Sequence, residues 1–262
     1  MPELPDVELC KEYFETTARD KRIQHVEVRD ARVIKGISVP KLRQRLEKKR
    51  ITSACRHGKH LLAHIEKDGF LVLHFGMTGF LQLVEKGEEQ PRHTRVLFRF
   101  PAGGSLAYSC MRLLGKVSWT EDLHAYRAKE RLGPDALGMD HAAFAEMLRE
   151  SRGAVKPTLM DQSRIAGLGN IYTDEILFQS GVHPGVSSKK LSGNHIRKMH
   201  RALKRICTVA IRHKANPHDL PRGYLLPHRR KGAQCPRCGG NVKSASVGGR
   251  TAYFCSQCQK KL

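Results

Sequence analysis

The sequence has few acids, few aromatic residues and no long apolar run. Asp and Glu number 25 against 47 Lys and Arg, a formal net charge of +22, and aromatic residues make up 6%. No apolar stretch approaches the ~18 residues of a membrane span, and charges throughout the N-terminal segment leave no signal-peptide core. We therefore expect an intracellular protein without a membrane partner. Hydrophobic residues make up 40%, which indicates a folded globular chain.

Acids are scarcest in the C-terminal part of the chain. From Lys189 to Leu262 there are 18 Lys and Arg residues and one acid, Asp219. A basic half on an otherwise mixed chain favours a polyanionic partner, most often nucleic acid. A membrane surface or the ribosome would attract the same charge, and charge alone does not separate these partners.

Half of the eight cysteines are isolated in apolar segments, where we interpret them as small core residues in a reducing compartment. The other half form two Cys-x-x-Cys pairs, Cys235 with Cys238 and Cys255 with Cys258, separated by sixteen residues. Four thiolates at this spacing predict one tetrahedral zinc ion. A redox dithiol or disulfides are the alternatives, but redox motifs occur singly. Four protein ligands close the site, so this zinc would be structural.

The spacing of hydrophobic residues changes along the chain and divides it into regions of different secondary structure. Acids in the first turn and apolar residues at helical spacing predict a leading helix from Pro5 to about Asp20. Short strands and turn signals then predict an antiparallel sandwich or barrel. From about Leu123 the period becomes helical, with Asp140 and Ser192 as helix caps. We expect three domains, at residues 1–122, 123–228 and 229–262.

The first residues can carry chemistry of their own. If Met1 is removed, Pro2 begins the chain with a secondary amine, and the Glu3 carboxylate stands beside it. An amine can form a Schiff base with a sugar carbon, and a carboxylate can move the protons that this reaction needs. An α-amino group is also less protonated at neutral pH than a lysine. Taken alone, the segment is better explained as the first turn of a helix.

Five motifs that follow one another along the chain are more specific than the first residues alone. They are Met1-Pro-Glu-Leu-Pro-Asp-Val-Glu8, Arg56-His-Gly-Lys-His60, His74-Phe-Gly-Met-Thr-Gly79, Asp161-Gln162 followed by Ile165-Ala-Gly-Leu-Gly-Asn-Ile-Tyr172, and the cysteine-rich segment that ends at Gln259. Together they resemble the formamidopyrimidine-DNA glycosylase/endonuclease VIII family of base-excision repair enzymes over essentially the whole chain. The segment from His74 to Gly79 is more similar to the formamidopyrimidine branch.

This resemblance implies an α+β multidomain fold. An N-terminal antiparallel β-sandwich with a leading helix would be followed by a helical domain with a helix–two-turn–helix motif and a C-terminal zinc finger, with DNA in the cleft between them. It also implies a monomeric, bifunctional DNA glycosylase/AP lyase in the bacterial cytoplasm, associated with the nucleoid. Its partner would be double-stranded DNA that contains oxidised or ring-opened bases or abasic sites, and the strand would be nicked by elimination.

The resemblance also implies roles for residues that match the family motifs. Pro2 would attack the sugar C1′ as the base leaves, and Glu3 would protonate the opening sugar ring. Lys59 would contact the phosphate or the damaged nucleotide. Asn170 and Arg250 would bind the phosphates that flank the lesion.

A flipped base leaves a gap in the duplex that the protein must fill. Met77 is similar to the inserting methionine of the family, and Arg112 to the arginine that faces the orphaned base. Leu114 stands where the family usually has a phenylalanine wedge. Leucine can still wedge a base step but has no ring to stack. We therefore expect altered opposite-base preference or weaker lesion interrogation.

The connector at residues 216–234 is shorter than the loop that closes over the base in the branch acting on oxidised guanine. We therefore expect ring-opened purines or oxidised pyrimidines to be favoured over 8-oxoguanine. A non-catalytic, zinc-containing protein that binds duplex DNA or DNA damage is the alternative, although binding alone has no use for Pro2 as a terminal amine. A zinc-ribbon RNA-binding protein would explain the basic tail but not the first 120 residues.

Overall fold

The computed structural model describes residues 2–67 and 69–261 and divides into two compact units. The first holds Asp6–Glu130 together with Pro2, and the second holds the chain from Arg131 onward together with Glu3–Pro5. The domain boundaries after residues 122 and 228 remain a prediction.

The first unit is built from strands. Its helices are α1 (Leu4–Ala18), which begins in residues of the second unit, α2 (Val39–Leu46) and α3 (Leu123–Lys129). Its strands are β1 (His25–Val28), β2 (Ile51–His57), β3 (His60–Ile65), β4 (Gly69–His74), β5 (Gly79–Val84), β6 (Thr94–Arg99), β7 (Ser105–Cys110) and β8 (Lys116–Thr120).

These strands form two antiparallel four-stranded sheets, in the orders β1-β6-β7-β5 and β2-β3-β4-β8. Leu61 and Ala63 of one sheet and Leu106 and Tyr108 of the other are fully buried in one shared core. Side chains alternate between the faces of a strand, so each sheet places one apolar row in this core. The predicted antiparallel sandwich is confirmed.

The second unit is helical. Its helices are α4 (His141–Glu150), α5 (Val155–Met160), α6 (Asn170–Ser180) and α7 (Gly193–Arg212). The predicted caps are present: the Asp140 carboxylate accepts from the Ala143 N–H at 2.8 Å, and the Ser192 hydroxyl accepts from the His195 N–H at 3.4 Å. Gly181 ends α6 with φ +72°, a conformation that glycine adopts without strain.

The C-terminal segment forms a hairpin of β9 (Val242–Val247) and β10 (Arg250–Cys255). Its apolar residues, with Phe178 of α6 and Leu225, make a small core separate from that of the helices. Across the described parts of the chain, no helix is long and apolar enough to cross a membrane.

Candidate active site and zinc centre

Glu3 caps helix α6 from a distant part of the chain. Its Oε2 accepts hydrogen bonds from the backbone N–H groups of Gly169 at 2.8 Å and Tyr172 at 3.2 Å, and its Oε1 accepts from Ile171 at 2.8 Å. The side chain is fully buried. The first N–H groups of a helix lack partners within the helix, and no side chain at Gly169 caps this one. Glu3 therefore places a carboxylate at the positive end of the α6 dipole.

Two glycines make room for this docking. A Cβ on Gly169 would lie 2.4 Å from Glu3 Cδ, and a Cβ on Gly167 would lie 2.7 Å from Leu4 Cδ1. The Leu4 N–H also donates to the Gly167 carbonyl at 3.0 Å. Gly167 has φ +117°, which favours glycine for a second reason. The Gly-Leu-Gly segment thus receives residues 3 and 4, and the N–H groups of Gly169 and Ile171 bond to Glu3.

Replacing Gly169 with alanine should displace the Glu3 carboxylate, because the new methyl group overlaps it. We expect a loss of about 1–3 kcal/mol of stability from overpacking. Urea unfolding followed by circular dichroism measures this loss. Gly193→Ala is the matched control, since a Cβ there meets nothing within 4 Å at the start of α7. The prediction fails if both variants behave like the wild type.

Pro2 is partly buried and lies one peptide bond before the anchored Glu3. Met1 lies outside the described residues. The Glu3 side chain and the Leu4 backbone are both held by hydrogen bonds, so the two residues that follow Pro2 are fixed in position.

Lys59 lies in the two-residue turn between β2 and β3. Gly58 fills the first turn position with φ +56°, and the His57–His60 pair closes the hairpin. Arg56 holds this turn to α1: its Nε donates to Glu8 Oε2 at 2.7 Å, and its Nη1 donates to the Gly58 carbonyl at 3.0 Å.

Glu8 is the acceptor that links α1 to this turn. Burial alone would raise the pKa of the Glu8 carboxyl, but hydrogen bonds from Lys11 and Arg56 outweigh burial and leave that pKa below its ordinary value. Glu8 is therefore a carboxylate at neutral pH, and it fixes the turn that carries Lys59.

Two histidines near Lys59, His60 and His74, are uncharged at neutral pH. Burial, with His74 as the next cause, lowers the pKa of His60 to about 3. Burial, with the positive charges of Lys116 and Lys59, lowers the pKa of His74 to about 4. The neutral His74 Nδ1 accepts from the Gly76 N–H at 3.2 Å and so orders the loop after β4.

The structure brings the predicted insertion residues together on two neighbouring loops. Met77 follows β4 and is 39% exposed, and Leu114 follows β7 and is 50% exposed. The Arg112 N–H donates to Thr78 Oγ1 at 3.2 Å. A Cβ on Gly76 would lie 2.5 Å from the Leu114 carbonyl carbon, so the loops are in direct backbone contact. Exposed apolar side chains beside an arginine suit a surface that enters a base stack.

Asn170 and Arg250 occupy the ends of two different elements. Asn170 begins α6, and its buried Oδ1 has no hydrogen-bond partner among the described residues. Arg250 is exposed at the tip of the β9–β10 hairpin, after Gly248 and Gly249, which both have positive φ. A Cβ on Gly248 would lie 2.8 Å from Pro157 Cβ, so the tip packs on α5.

A buried charge cluster connects these two residues, which the sequence did not indicate. The fully buried Lys156 Nζ donates to Asp174 Oδ1 at 2.6 Å and to the Thr251 carbonyl at 3.0 Å. Asp174 Oδ2 accepts from Arg229 Nε at 2.9 Å, and Arg229 Nη2 donates to the Asn170 carbonyl at 3.3 Å. This cluster therefore fixes the hairpin tip relative to the start of α6.

Burial acts against both charges of the Lys156–Asp174 pair. It raises the pKa of Asp174 and lowers the pKa of Lys156, while the contact between them opposes both changes. Arg229 and the Tyr253 N–H, which donates to Asp174 Oδ2 at 3.2 Å, add to the stabilisation of the Asp174 carboxylate. Neither residue can lose its partner without leaving an uncompensated group in the interior.

Lys156→Met should therefore destabilise the second unit by about 3–5 kcal/mol, because Asp174 loses its closest cation. Lys243→Met is the matched control on the exposed face of β9 and should change stability by less than about 0.5 kcal/mol. Urea unfolding followed by circular dichroism measures both. Equal midpoints for the two variants would contradict the structural role of the cluster.

The four paired cysteines converge on one point. The Sγ atoms of Cys235, Cys238, Cys255 and Cys258 all lie within 4.8 Å of one another. The Cys235–Cys258 and Cys238–Cys255 sulfur separations are 3.8 and 3.5 Å. Four thiolates at Zn–S distances of ~2.3 Å around a tetrahedral ion lie ~3.8 Å apart. The residues therefore fit one structural zinc ion, and the prediction is confirmed.

A sandwich with a leading helix, a helical unit in which Glu3 caps α6, and a four-cysteine finger together define a zinc-finger DNA glycosylase. Three family models match: the formamidopyrimidine-DNA glycosylase N-terminal domain at residues 1–117, its H2TH (helix–two-turn–helix) domain at 132–219, and the zinc finger found in FPG and IleRS at 234–261. The chain belongs to the formamidopyrimidine-DNA glycosylase family, whose members are bifunctional glycosylase/AP lyases.

Individual relatives agree over the full length. The formamidopyrimidine-DNA glycosylase of Synechocystis is 33% identical over 288 residues, which cover 100% of this chain and 99% of the relative. The Lactococcus lactis Fpg in complex with abasic-site DNA has a TM-score of 0.90 at 29% identity, over 99% of this chain and 100% of that one. Its complex with Fapy-dG-containing DNA gives the same values.

Proposed function

We propose that this chain excises oxidised or ring-opened bases from duplex DNA and then nicks the strand. The nitrogen of a processed Pro2 attacks the sugar C1′ as the base leaves, and an iminium forms. The iminium acidifies the C2′ hydrogen, and its removal expels the 3′ phosphate by elimination. The observation that supports this proposal most directly is the buried Glu3 carboxylate, held by three backbone donors one residue after Pro2.

Glu3 is the proton carrier in this proposal. It protonates the opening sugar ring and later accepts and returns protons. Lys59, on a turn fixed by Arg56 and Glu8, stabilises the negative charge of the phosphate or the damaged nucleotide. Both roles require defined positions, which the hydrogen bonds to each segment supply.

DNA binding divides between two sets of residues in this proposal. Asn170 and Arg250 bind the phosphates that flank the lesion, and the Lys156–Asp174–Arg229 cluster keeps them in register. Met77 and Leu114 fill the gap left by the flipped base, and Arg112 reads the base opposite. In this proposal residues 1–122 form the catalytic β-sandwich domain, 123–228 the helical helix–two-turn–helix domain and 229–262 the zinc finger, and each of them contributes residues that bind DNA.

We further propose that the protein acts as a monomer in the bacterial cytoplasm, beside the nucleoid. The relatives named above are bacterial, and a net charge of +22 attracts DNA phosphates. Ring-opened purines and oxidised pyrimidines are the favoured substrates, because the connector at 216–234 is short.

A panel of lesion duplexes, each paired with all four opposite bases, tests this function. We expect cleavage of duplexes with ring-opened purines or oxidised pyrimidines, weaker cleavage of 8-oxoguanine, and gel bands that reveal β or β,δ elimination. Failure to cleave any lesion or abasic duplex would leave only the DNA-binding alternative.

A further inference from the structure

A basic pocket lies at the C-terminal end of α6, away from the residues assigned above. Its volume is about 570 Å³, and its cationic lining consists of Lys198, Arg201 and Arg205 of α7 and Arg237 of the first cysteine pair. No Asp or Glu lines it. Within residues 2–67 and 69–261, none of these four cations takes part in an ion pair. The pocket is therefore strongly positive.

Gln179 holds two of these cations close together. Its Oε1 accepts from Arg205 Nη2 at 3.0 Å and from Arg237 Nη2 at 2.7 Å. Its Nε2 donates to Glu175 Oε1 at 2.7 Å and to the Gly223 carbonyl at 3.0 Å, which fixes the amide orientation. Two guanidinium groups on one neutral oxygen repel each other, and a bound phosphate would offset that repulsion.

Glu175 and the Phe178 carbonyl lie behind the pocket and offset its positive charge only in part. Burial raises the pKa of Glu175 to about 7, so near neutral pH it carries a partial negative charge. Arg237 also donates to the Phe178 carbonyl at 3.2 Å and so offsets the negative end of the α6 dipole. Lys198, Arg201 and Arg205 remain available to an anion.

The positive surface continues along α7 as a stripe. Lys198, Arg201, Arg205 and Arg212 are exposed and follow at spacings of three, four and seven residues, which places them on one helical face. At 1.5 Å per residue the stripe is ~21 Å long. A ~21 Å line of three arginines and one lysine suits the regularly spaced phosphates of a nucleic-acid backbone better than the few carboxylates of a short acidic peptide.

The pocket and the start of α6 lie at opposite ends of one buried helix. Eight of the eleven residues of α6 are buried, so the helix crosses the interior of its unit. Its ends are separated by ~16 Å. Glu3 and Asn170 belong to one end, and Gln179 and Gly181 to the other.

We propose that the pocket and the α7 stripe bind the phosphate backbone of a second DNA duplex. A chain holding one duplex at Asn170 and Arg250 could then contact another segment and transfer between them without dissociating. The second site requires only basic binding chemistry, and it stands whether or not the chain cleaves lesions.

Binding stoichiometry tests this proposal. Sedimentation velocity with an undamaged, labelled duplex of about 12 base pairs at low salt should show two duplexes per wild-type chain. Lys198→Gln/Arg201→Gln removes two exposed charges without touching the Gln179 hydrogen bonds. This double variant should bind the second duplex about tenfold more weakly. For that second binding step, the slope of log K against log salt concentration should become smaller in magnitude by about 2. Lys41→Gln/Arg50→Gln is the matched control, because it removes one lysine and one arginine from exposed positions of the other unit. It should leave binding of the second duplex unchanged.

A stoichiometry of one duplex per wild-type chain would overturn the proposal. So would an unchanged affinity for the second duplex in Lys198→Gln/Arg201→Gln. A poly-glutamate peptide is included as a separate probe. If that peptide binds the wild type and not the double variant, while no second duplex binds, the surface belongs to an acidic protein partner instead.

Discussion

Glu3→Gln is expected to slow base excision by about 10²–10⁴-fold, the usual contribution of a positioned general acid or base. In the proposed mechanism the amide cannot carry the proton that the opening sugar ring needs. It also turns one N–H₂ toward the backbone donors of Gly169 or Ile171, so the cap on α6 weakens. Losing one such hydrogen bond in the interior costs about 1–3 kcal/mol.

Comparing two substrates separates chemistry from stability. At a preformed abasic site, the sugar ring is already open in a fraction of the molecules. Cleavage of this substrate therefore depends less on ring protonation than excision of a damaged base does. We expect the rate of single-turnover excision to fall much further than the rate of abasic-site cleavage. Equal losses on both substrates, tracking a lower unfolding temperature, would reduce Glu3 to a structural cap.

Cys255→Ser is expected to release the zinc ion and unfold the hairpin. A structural four-cysteine zinc contributes about 10 kcal/mol or more to local folding, and the small finger core cannot replace it. The helical core of the second unit contains no finger residue and should stay folded. Arg250 then loses its fixed position, and DNA affinity should fall about 10- to 100-fold.

Cys55→Ser is the matched control, because Cys55 is an exposed thiol outside the zinc cluster. It should keep one zinc per chain and full DNA affinity. Metal analysis, limited proteolysis of the hairpin and fluorescence anisotropy measure the three effects. A Cys255→Ser protein with one zinc per chain and a protected hairpin would refute the metal assignment.

The features that follow from local patterns could be predicted from the sequence. Strand alternation indicated the sandwich, Asp140 and Ser192 marked helix starts, and the two Cys-x-x-Cys pairs indicated the zinc site. Each depends on residues close in the chain or on a fixed spacing.

Contacts between distant segments could not be predicted in this way. Glu3 caps a helix 166 residues later, and nothing in either segment alone shows it. Gly169 is the one signal, since a glycine directly before a helix can mark a close approach. Lys156 and Asp174 were similarly hidden, because a lysine in a helix is normally a surface residue. Met111 beside Arg112 is 53% exposed, so it is a further candidate for base contact that the sequence did not indicate.

The most direct test of the account is the identity of the atom that bonds to the sugar. The protein is incubated with a lesion duplex and sodium borohydride, and the trapped complex is digested and mapped by mass spectrometry. The account predicts one reduced adduct, on the nitrogen of a chain that begins at Pro2. An adduct on Lys59 or another lysine, or an active protein that retains Met1, would contradict it.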